Sequence, residues 1–544
     1  MLFNHTSSAR GIVAVLIFMC SLSVNASSVS AQPLGVISQA DSLFLRNVQR
    51  QAFNFFWNES NPLNGLIKDR STASSASSIA SVGFGLSSIC VAADYGWVTR
   101  AAAAERVRTT LRTFWYGPQG SATTGMIGRL GFFYHFLNMS TAVRDGQTEL
   151  SSIDTGLLIA GILHCQQYFD AADTSEQEIR ALADSIYRRM DFEAMRHYGT
   201  TLNMGWLPET GWLNAWWVGY CEAMILYVEA FGSPTHPVEA DLWNGWTGGY
   251  DFGTYYGYTY VIFPPLFGHQ YSHCWIDFRG IRDDKMSGYG LDYFENSRRA
   301  TLAQRAYCAA NPGNFPAYSD SMWGITASDA PNGYSARGAP PAQDDDGTLV
   351  PTAPGGSVPF APQECIQALK TMYNHYCIGS QTGLWGPYGF RDAFNVKSNW
   401  FDSDYIGIDE GPIVLMIENF FTQRVWDVFM KSPYIQTGLQ RAGFKTVNGV
   451  GPAKSVPGHY GLQQNFPNPF NPATMIRYEL PESREVTLTV FDLLGRVVAI
   501  LAEGRKSAGM HEERFDSQSL PSGVYYYKLH AGEVNLVRQM VLIK

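Results

Sequence analysis

Between residues 36 and 445, apolar side chains recur three and four positions apart, the spacing that places them on one face of a helix. This pattern predicts helices over residues 40–57, 77–95, 99–115, 153–169, 176–190, 212–231, 288–310, 362–376 and 409–430. Some are amphipathic. Others, above all 212–231, are apolar or aromatic nearly all the way round and must be buried on every side or line a cavity. Gly-, Pro- and aromatic-rich loops separate them, notably 248–273 and 328–362. Loops of such length in a compact domain usually carry function. Paired helices with elaborate loops on one side predict an all-α toroid, with inner helices apolar all round and outer helices amphipathic.

The pattern changes near Gly451. Residues 446–461 read as a linker, and from Leu462 the apolar positions alternate with period two. Strands are predicted over 474–478, 485–492, 496–502, 523–530 and 534–543, opened by Asn465-Phe466-Pro467-Asn468-Pro469-Phe470-Asn471-Pro472. Residues 462–544 are therefore expected to form a small all-β sandwich.

Length and composition permit a large core. The chain has 544 residues, 45% hydrophobic and only 16% charged. Aromatic content is 14%, with 14 Trp and 29 Tyr, which suits stacking on sugar rings as well as core packing. A net charge of -9 without a basic patch argues against nucleic acid as a partner. Arg10, an apolar run and the small-residue site Val29-Ser30-Ala31 read as a signal peptide over residues 1–31. No later segment is long and apolar enough to span a bilayer, so the mature chain is expected outside the membrane. Beyond Cys20 in that leader, seven cysteines are scattered without pairing rhythm and read as buried small hydrophobes.

Four segments carry candidate chemistry. Glu222 sits within the apolar 212–231 stretch, with Val218, Gly219, Ile225 and Leu226 at helical spacing and no charge partner among them. Such a carboxyl either bonds an Arg or backbone of a neighbouring helix, or keeps a raised pKa suited to proton donation. Asp154, in Ser151-Ser152-Ile153-Asp154-Thr155-Gly156, opens a helix and is either a first-turn acid or a site residue. His269 to Arg279 holds two His four apart. The absence of HExxH and of a third ligand argues against a metal there and for sugar-hydroxyl contacts. Asp402, Asp404, Asp409 and Glu410 crowd one helix mouth, where like charges push pKa values apart. Asp344-Asp345-Asp346 reads as a solvated turn, with Ca²⁺ binding as the alternative. The chain has no GxSxG, GxxxxGK[ST] or strand-linked GxGxxG motif.

Six motifs occur in order: Gly83-Phe84-Gly85-Leu86, Gly131-Phe132-Phe133-Tyr134-His135-Phe136, Ser152-Ile153-Asp154-Thr155, Glu222-Ala223-Met224-Ile225, Ser233-Pro234-Thr235-His236-Pro237, and Ile408-Asp409-Glu410-Gly411-Pro412 through Ile417-Glu418-Asn419. Together they resemble the bacterial glucoamylase-like family that includes the endo-β-1,2-glucanases of glycoside hydrolase family 144. The resemblance implies an (α/α)6 barrel over residues 36–445 and anomer-inverting hydrolysis without a cofactor or metal. It implies Glu222 as the leading catalytic acid, Asp409 as the second candidate and Asp154 as a lining residue. Two positions depart from the family pattern: Glu410 stands where many relatives have Gln, and Cys221 where Asn is frequent. The final segment, with its Asn-Phe-Pro-Asn-Pro-Phe opening and Gly523-Val524-Tyr525-Tyr526-Tyr527 strand, resembles type IX secretion sorting domains.

The reading is thus a secreted or cell-surface inverting hydrolase of β-glucan, most simply an endo-β-1,2-glucanase. Glu222 would donate the proton and Asp409 would activate water. Asp154, Glu149, Asp404 and Glu410 would position sugars or tune those groups. Trp206, Trp212, Trp216, Trp275, Tyr334 and Tyr405 would stack on sugar rings, and His269 and Arg279 would contact hydroxyls. Exo action, a non-catalytic glycan-binding protein and a polysaccharide lyase are the rivals.

Overall fold

The computed structural model describes residues 34–35, 37–377, 383–447, 460–462, 464–465, 468–506, 509–517 and 520–543. The expected signal peptide and most of the expected linker lie outside the described residues.

The long helices are α1 (Gln39–Asn58), α2 (Ile79–Asp94), α3 (Arg100–Tyr116), α4 (Ser152–Tyr168), α5 (Thr174–Arg188), α6 (Met224–Gly232), α7 (Tyr293–Ala310), α8 (Pro362–Tyr376), α9 (Gly407–Phe421), α10 (Arg424–Phe429) and α11 (Pro433–Arg441). Capping explains several of the starts. Ser38, Ser78, Thr99, Ser151, Asp173 and Asp292 each accept a backbone N–H from the first turn that follows.

Two kinds of helix separate by burial. Nearly every residue of α2, α4, α6 and α9 is buried, so these have no solvent face. By contrast α1, α3, α5, α8 and α11 bury one stripe and expose the other. The buried helices stand side by side: α9 against α2, α2 against α4, and α4 against α6. Amphipathic helices pack outside them, α1 on α2 and α9, α5 on α4, and α11 on α6. Between α6 and α9 the inner layer continues as two short 3₁₀ turns, Leu266–His269 and Ser272–Cys274. Ser272 accepts the Ile225 N–H, and the Cys274 carbonyl accepts from the Asn419 side chain.

The expected helix over 212–231 is corrected. Only Met224–Gly232 is helical, and Trp212 lies in a strand, Gly211–Trp212, paired with Gly205–Leu207. Gly219 ends the regular pattern: its φ of +83° is left-handed, and a Cβ there would meet the Gly249 carbonyl oxygen at 2.8 Å. The aromatic residues that suggested a helix are instead pinned individually. The Trp217 N–H donates to the Leu202 carbonyl, and its Nε1 to Ser152 Oγ. The helix expected over 409–430 is likewise two, α9 and α10, divided at Gln423 with φ +57°. Helix α7 begins at Tyr293, set by its Asp292 cap.

The C-terminal residues form two antiparallel sheets. One orders Gly461–Leu462, Ala473–Leu480 and Gly509–Asp516. The other orders Val497–Lys506, Arg484–Phe491, Gly523–Ala531 and Val534–Leu542. Alternating residues such as Ile476, Tyr478, Leu488, Val490, Tyr527 and Leu529 build a core of their own. The strand Gly509–Asp516 was not read from the sequence, because His511-Glu512-Glu513-Arg514 masks its alternation.

Candidate active site

Loops and helix N-termini deliver a dense set of acids to one place. A five-stranded sheet, which includes Phe132–Tyr134 and Leu150–Ser151, leads into α4. His135 follows its second strand. His135 Nδ1 lies 2.9 Å from Glu149 Oε1, and its Nε2 lies 3.6 Å from Asp154 Oδ1. Burial alone would hold the imidazole pKa down, yet the charge of Asp154 and the Glu149 hydrogen bond push it up to about 9. The same bond holds Glu149 below the usual carboxylate range. Asp154 Oδ2 accepts a 2.5 Å hydrogen bond from its own cap, Ser151.

Glu222 occupies the turn just before α6. The Ser272 hydroxyl donates to its carbonyl at 3.1 Å. Its carboxylate Oε2 is buried, and no hydrogen-bond partner among the described residues reaches it. Burial pushes the Glu222 pKa up to about 7, and the charge of Asp154 adds to the effect. The environment expected from the sequence is therefore present, although no helix creates it.

Asp409 and Glu410 lie in the first turn of α9, 5% and 3% exposed. Burial raises the Asp409 pKa, as do the charges of Glu410, Asp329 and Asp69. A hydrogen bond from Asp392 acts the other way. Asp392 is itself held well above the carboxylate range by burial and by the charges of Asp409 and Asp402. Asp392 Oδ2 is fixed by the Asp329 backbone N–H at 2.8 Å. Burial also raises Glu410, and lifts Asp402 to about 6. Arg70 is the balancing cation, with Nη1 2.7 Å from Asp329 and 3.6 Å from Asp404, and Nε 3.4 Å from Asp69. Asp404 also accepts from Ser71 and Thr72.

Asp69 joins the two groups, because it acts electrostatically on Asp409 and is acted on by His135 and Asp154. Tyr271 feels both Glu222 and Asp409: burial first, then the charges of Asp409 and Glu222, lift its hydroxyl above the ordinary range. Tyr334 is 50% exposed, and its hydroxyl pKa is raised by burial and by the charges of Asp409, Asp392, Asp69 and Asp329. The hairpin bearing it is clasped by buried Arg337, which donates to the carbonyls of Ser328 and Gly333. A cavity of about 340 Å³, lined by Asp69, Arg70, Thr72, Phe136 and Thr148 among others, opens beside the cluster.

The N-termini of α4 and α9 carry Asp154 and Asp409 in their first turns, and α6 begins two residues after Glu222. The first N–H of α2 donates to the His135 carbonyl. Four helices thus turn their positive ends toward one acidic hollow.

Several sequence-based assignments do not meet there. Trp275 is 0% exposed, stacks on Phe84 and donates to Ser87, so it is core. His269 is 0% exposed and packs against Tyr220, and burial takes its pKa down to about 3. Arg279 is paired with Asp277 and Gln423 over the Trp426 ring, at the far end of α9, roughly 20 Å from Asp409 by helix rise. Trp206 is 7% exposed beneath the Arg129 guanidinium, and Tyr405 is 3% exposed against Tyr388. These closed rings cannot stack on a sugar. Trp212 and Trp216 are half-buried, the former stacked on His197. Asp345 accepts from Tyr307 and Tyr318, and Asp346 pairs with Arg337, so this acidic turn is a structural tie.

Sequence reasoning did not assign His135, Asp69, Arg70, Tyr271, Asp329 or Asp392. His135 lay inside a quoted motif. Tyr271 lay inside the quoted 269–279 segment, and the others come from loops without periodicity. Among the described residues, two sets each hold ligand atoms within 4.8 Å of one another, His135–Glu149–Asp154 and Asp329–Asp392–Asp402. The first set holds a hydrogen bond of its own, between His135 and Glu149, and in the second Asp329 is the partner of Arg70.

The Glycoamylase family model, described as "Putative glucoamylase", matches residues 214–433, and the "Secretion system C-terminal sorting domain" model matches 464–544. The crystal structure of a "putative glucoamylase" from Bacteroides uniformis is similar at 32% identity, over 76% of this chain and 99% of that one, with a TM-score of 0.69. The endo-β-1,2-glucanase of Chitinophaga pinensis, solved with sophorotriose and glucose, is 28% identical over 75% of this chain and 99% of that chain, with a TM-score of 0.68. The exo β-1,2-glucooligosaccharide sophorohydrolase (non-reducing end) of Parabacteroides distasonis is 27% identical over 437 residues. This chain spans 58% of the length of that curated relative. By the extent of these matches the chain belongs to the glucoamylase-like family, and it ends in a secretion-system sorting domain.

Proposed function

We propose that this chain is an exported glycoside hydrolase that cleaves β-1,2-linked glucan with inversion, by an endo mode. The observation that carries the reading is Glu222: a carboxyl with a buried, unpartnered oxygen and a pKa pushed up to about 7, whose charge acts on the same Tyr271 hydroxyl as that of a second acid, Asp409. Glu222 gives its proton to the glycosidic oxygen. Asp409 takes a proton from the attacking water, held in place by the hydrogen bond from Asp392. An inverting pair works with carboxyls about 6.5–9.5 Å apart, the gap that admits the water. Asp154, Glu149, Asp404 and Glu410 set the charge around that pair, and Tyr334 offers the open ring for stacking. The β-1,2 linkage is supported by the named activities of the Chitinophaga and Parabacteroides relatives.

The same reading takes residues 36–445 as a closed (α/α)6 barrel, 446–461 as a linker and 462–544 as the type IX sorting domain. Residues 1–31 act as the leader to the periplasm, and the final address is the cell surface or medium. The buried inner and amphipathic outer helices support the barrel. A second reading, exo release of disaccharide, is favoured by the Parabacteroides relative.

The test is proton NMR of nascent products from β-1,2-glucan. Initial α-anomer together with a spread of oligosaccharide lengths is expected. Initial β-anomer overturns inversion, and disaccharide as the sole early product selects the exo reading.

A further inference from the structure

Cys90 in α2 and Cys165 in α4 are both buried, and their sulfurs lie 3.6 Å apart. Among the described residues this is the one sulfur–sulfur contact. The helices that carry them are unusually close. A Cβ on Gly83 would fall 2.1 Å from the Leu157 carbonyl oxygen, and one on Gly161 would fall 2.2 Å from the Gly83 carbonyl oxygen. The Cys165 thiol also donates to the Leu86 carbonyl at 3.5 Å, so the close approach extends along both helices to the cysteines. Disulfides need closely packed backbones, with Cα atoms roughly 4.4–6.8 Å apart.

We propose that Cys90 and Cys165 are joined as a disulfide in the exported protein. The sorting domain places the chain on a route out of the cytoplasm, through compartments where disulfides persist. The oxidant is the disulfide of a thiol–disulfide oxidoreductase, or of a small-molecule disulfide such as oxidised glutathione. One cysteine thiolate attacks it to form a mixed disulfide and displaces one oxidant thiolate. The second cysteine thiolate then attacks the mixed disulfide. The oxidant leaves reduced to its two-thiol form, carrying two electrons, and the two thiol protons pass to solvent and oxidant. The bond must form before α2 and α4 close, because burial shields both sulfurs and lifts the Cys90 thiol well above its ordinary pKa in the folded state. Once formed, it ties α4, which carries Asp154, to its inner neighbour across a separation of 75 residues.

The test uses full-length protein collected from the medium without reductant, denatured, alkylated with N-ethylmaleimide and digested. The expected result is a Cys90 peptide linked to a Cys165 peptide, about 2 Da lighter than the two thiol peptides together and separated by reductant. The five other described cysteines carry the label. Reductant should lower the unfolding temperature of the exported protein by several degrees and leave the Cys90→Ala/Cys165→Ala variant unmoved. Refolding the reduced chain with oxidised glutathione should give the same linked pair, which reads out the bond even where export fails. Full labelling of Cys90 and Cys165 in both preparations overturns the proposal.

Discussion

His135 Nδ1 and Glu149 Oε1 stand 2.9 Å apart, and the charge of Asp154 together with this bond favours the cationic form of His135 against burial. Its folded pKa of about 9 lies above the ordinary 6.5. The stabilisation it gives is therefore complete below pH 6.5 and is lost as pH rises through 9. A His135→Gln variant should unfold at a lower temperature than the parent at pH 6, with the gap closing between pH 6.5 and 9. Thermal unfolding across that range checks it. A gap that stays constant removes the charge as the source.

The pH profile of turnover should carry the mark of Glu222. A proton donor with a pKa near 7 loses activity as pH climbs through that value, so kcat/KM should fall on the alkaline side of neutrality. Glu222→Gln should cost about 10²–10⁴ in kcat while oligosaccharide affinity holds. Initial rates and calorimetric titration of the variant check both halves.

Asp392 should show itself by contrast between two variants. Asp392→Asn keeps a donor toward Asp409, whereas Asp392→Ala removes it and leaves a buried acceptor bare. The acidic limb of the pH profile should move upward in the Ala variant and stay close to the parent in the Asn variant. Equal shifts in both would take Asp392 out of the role of holding Asp409.

Trp275 and Tyr334 should separate cleanly. Trp275→Ala removes a fully buried ring and should cost about 3–5 kcal/mol of stability, with KM unchanged in the protein that folds. Tyr334→Ala removes a half-exposed ring and should raise KM while leaving the unfolding temperature near the parent. Denaturation and kinetics on the same preparations decide.

The sequence revealed the helices that packing makes regular. Helices α1, α3, α5 and α8 were placed to within two residues, because each shows one apolar stripe and most are capped by Ser, Thr or Asp. It misled where aromatic density mimicked helical periodicity, as around Trp216, which bridges to Asn203, and Trp217, which donates to the Leu202 carbonyl and Ser152. At the site, Glu222, Asp409, Asp154 and Glu149 were legible as acids in apolar or capping contexts. Asp69, Asp329 and Asp392 were not, because each lies on an irregular loop and gains its meaning only from neighbours hundreds of residues away. His269 and Trp275 were misassigned because a 3₁₀ segment takes the place of an inner helix, which turns loop-like composition into core.

The four helix ends gathered at the acidic hollow bear on how the protein should respond to salt. Their partial positive charge is built from peptide groups locked in the backbone and cannot be exchanged for mobile ions. Dissolved electrolyte, which weakens attraction between surface charges beyond about 10 Å at 0.1 M, screens buried groups such as Asp409 and Glu410 much less. The ionisation balance of the cluster should therefore be nearly the same in dilute buffer and in brine, and an enzyme discharged into surroundings of uncontrolled ionic strength would keep its working pH.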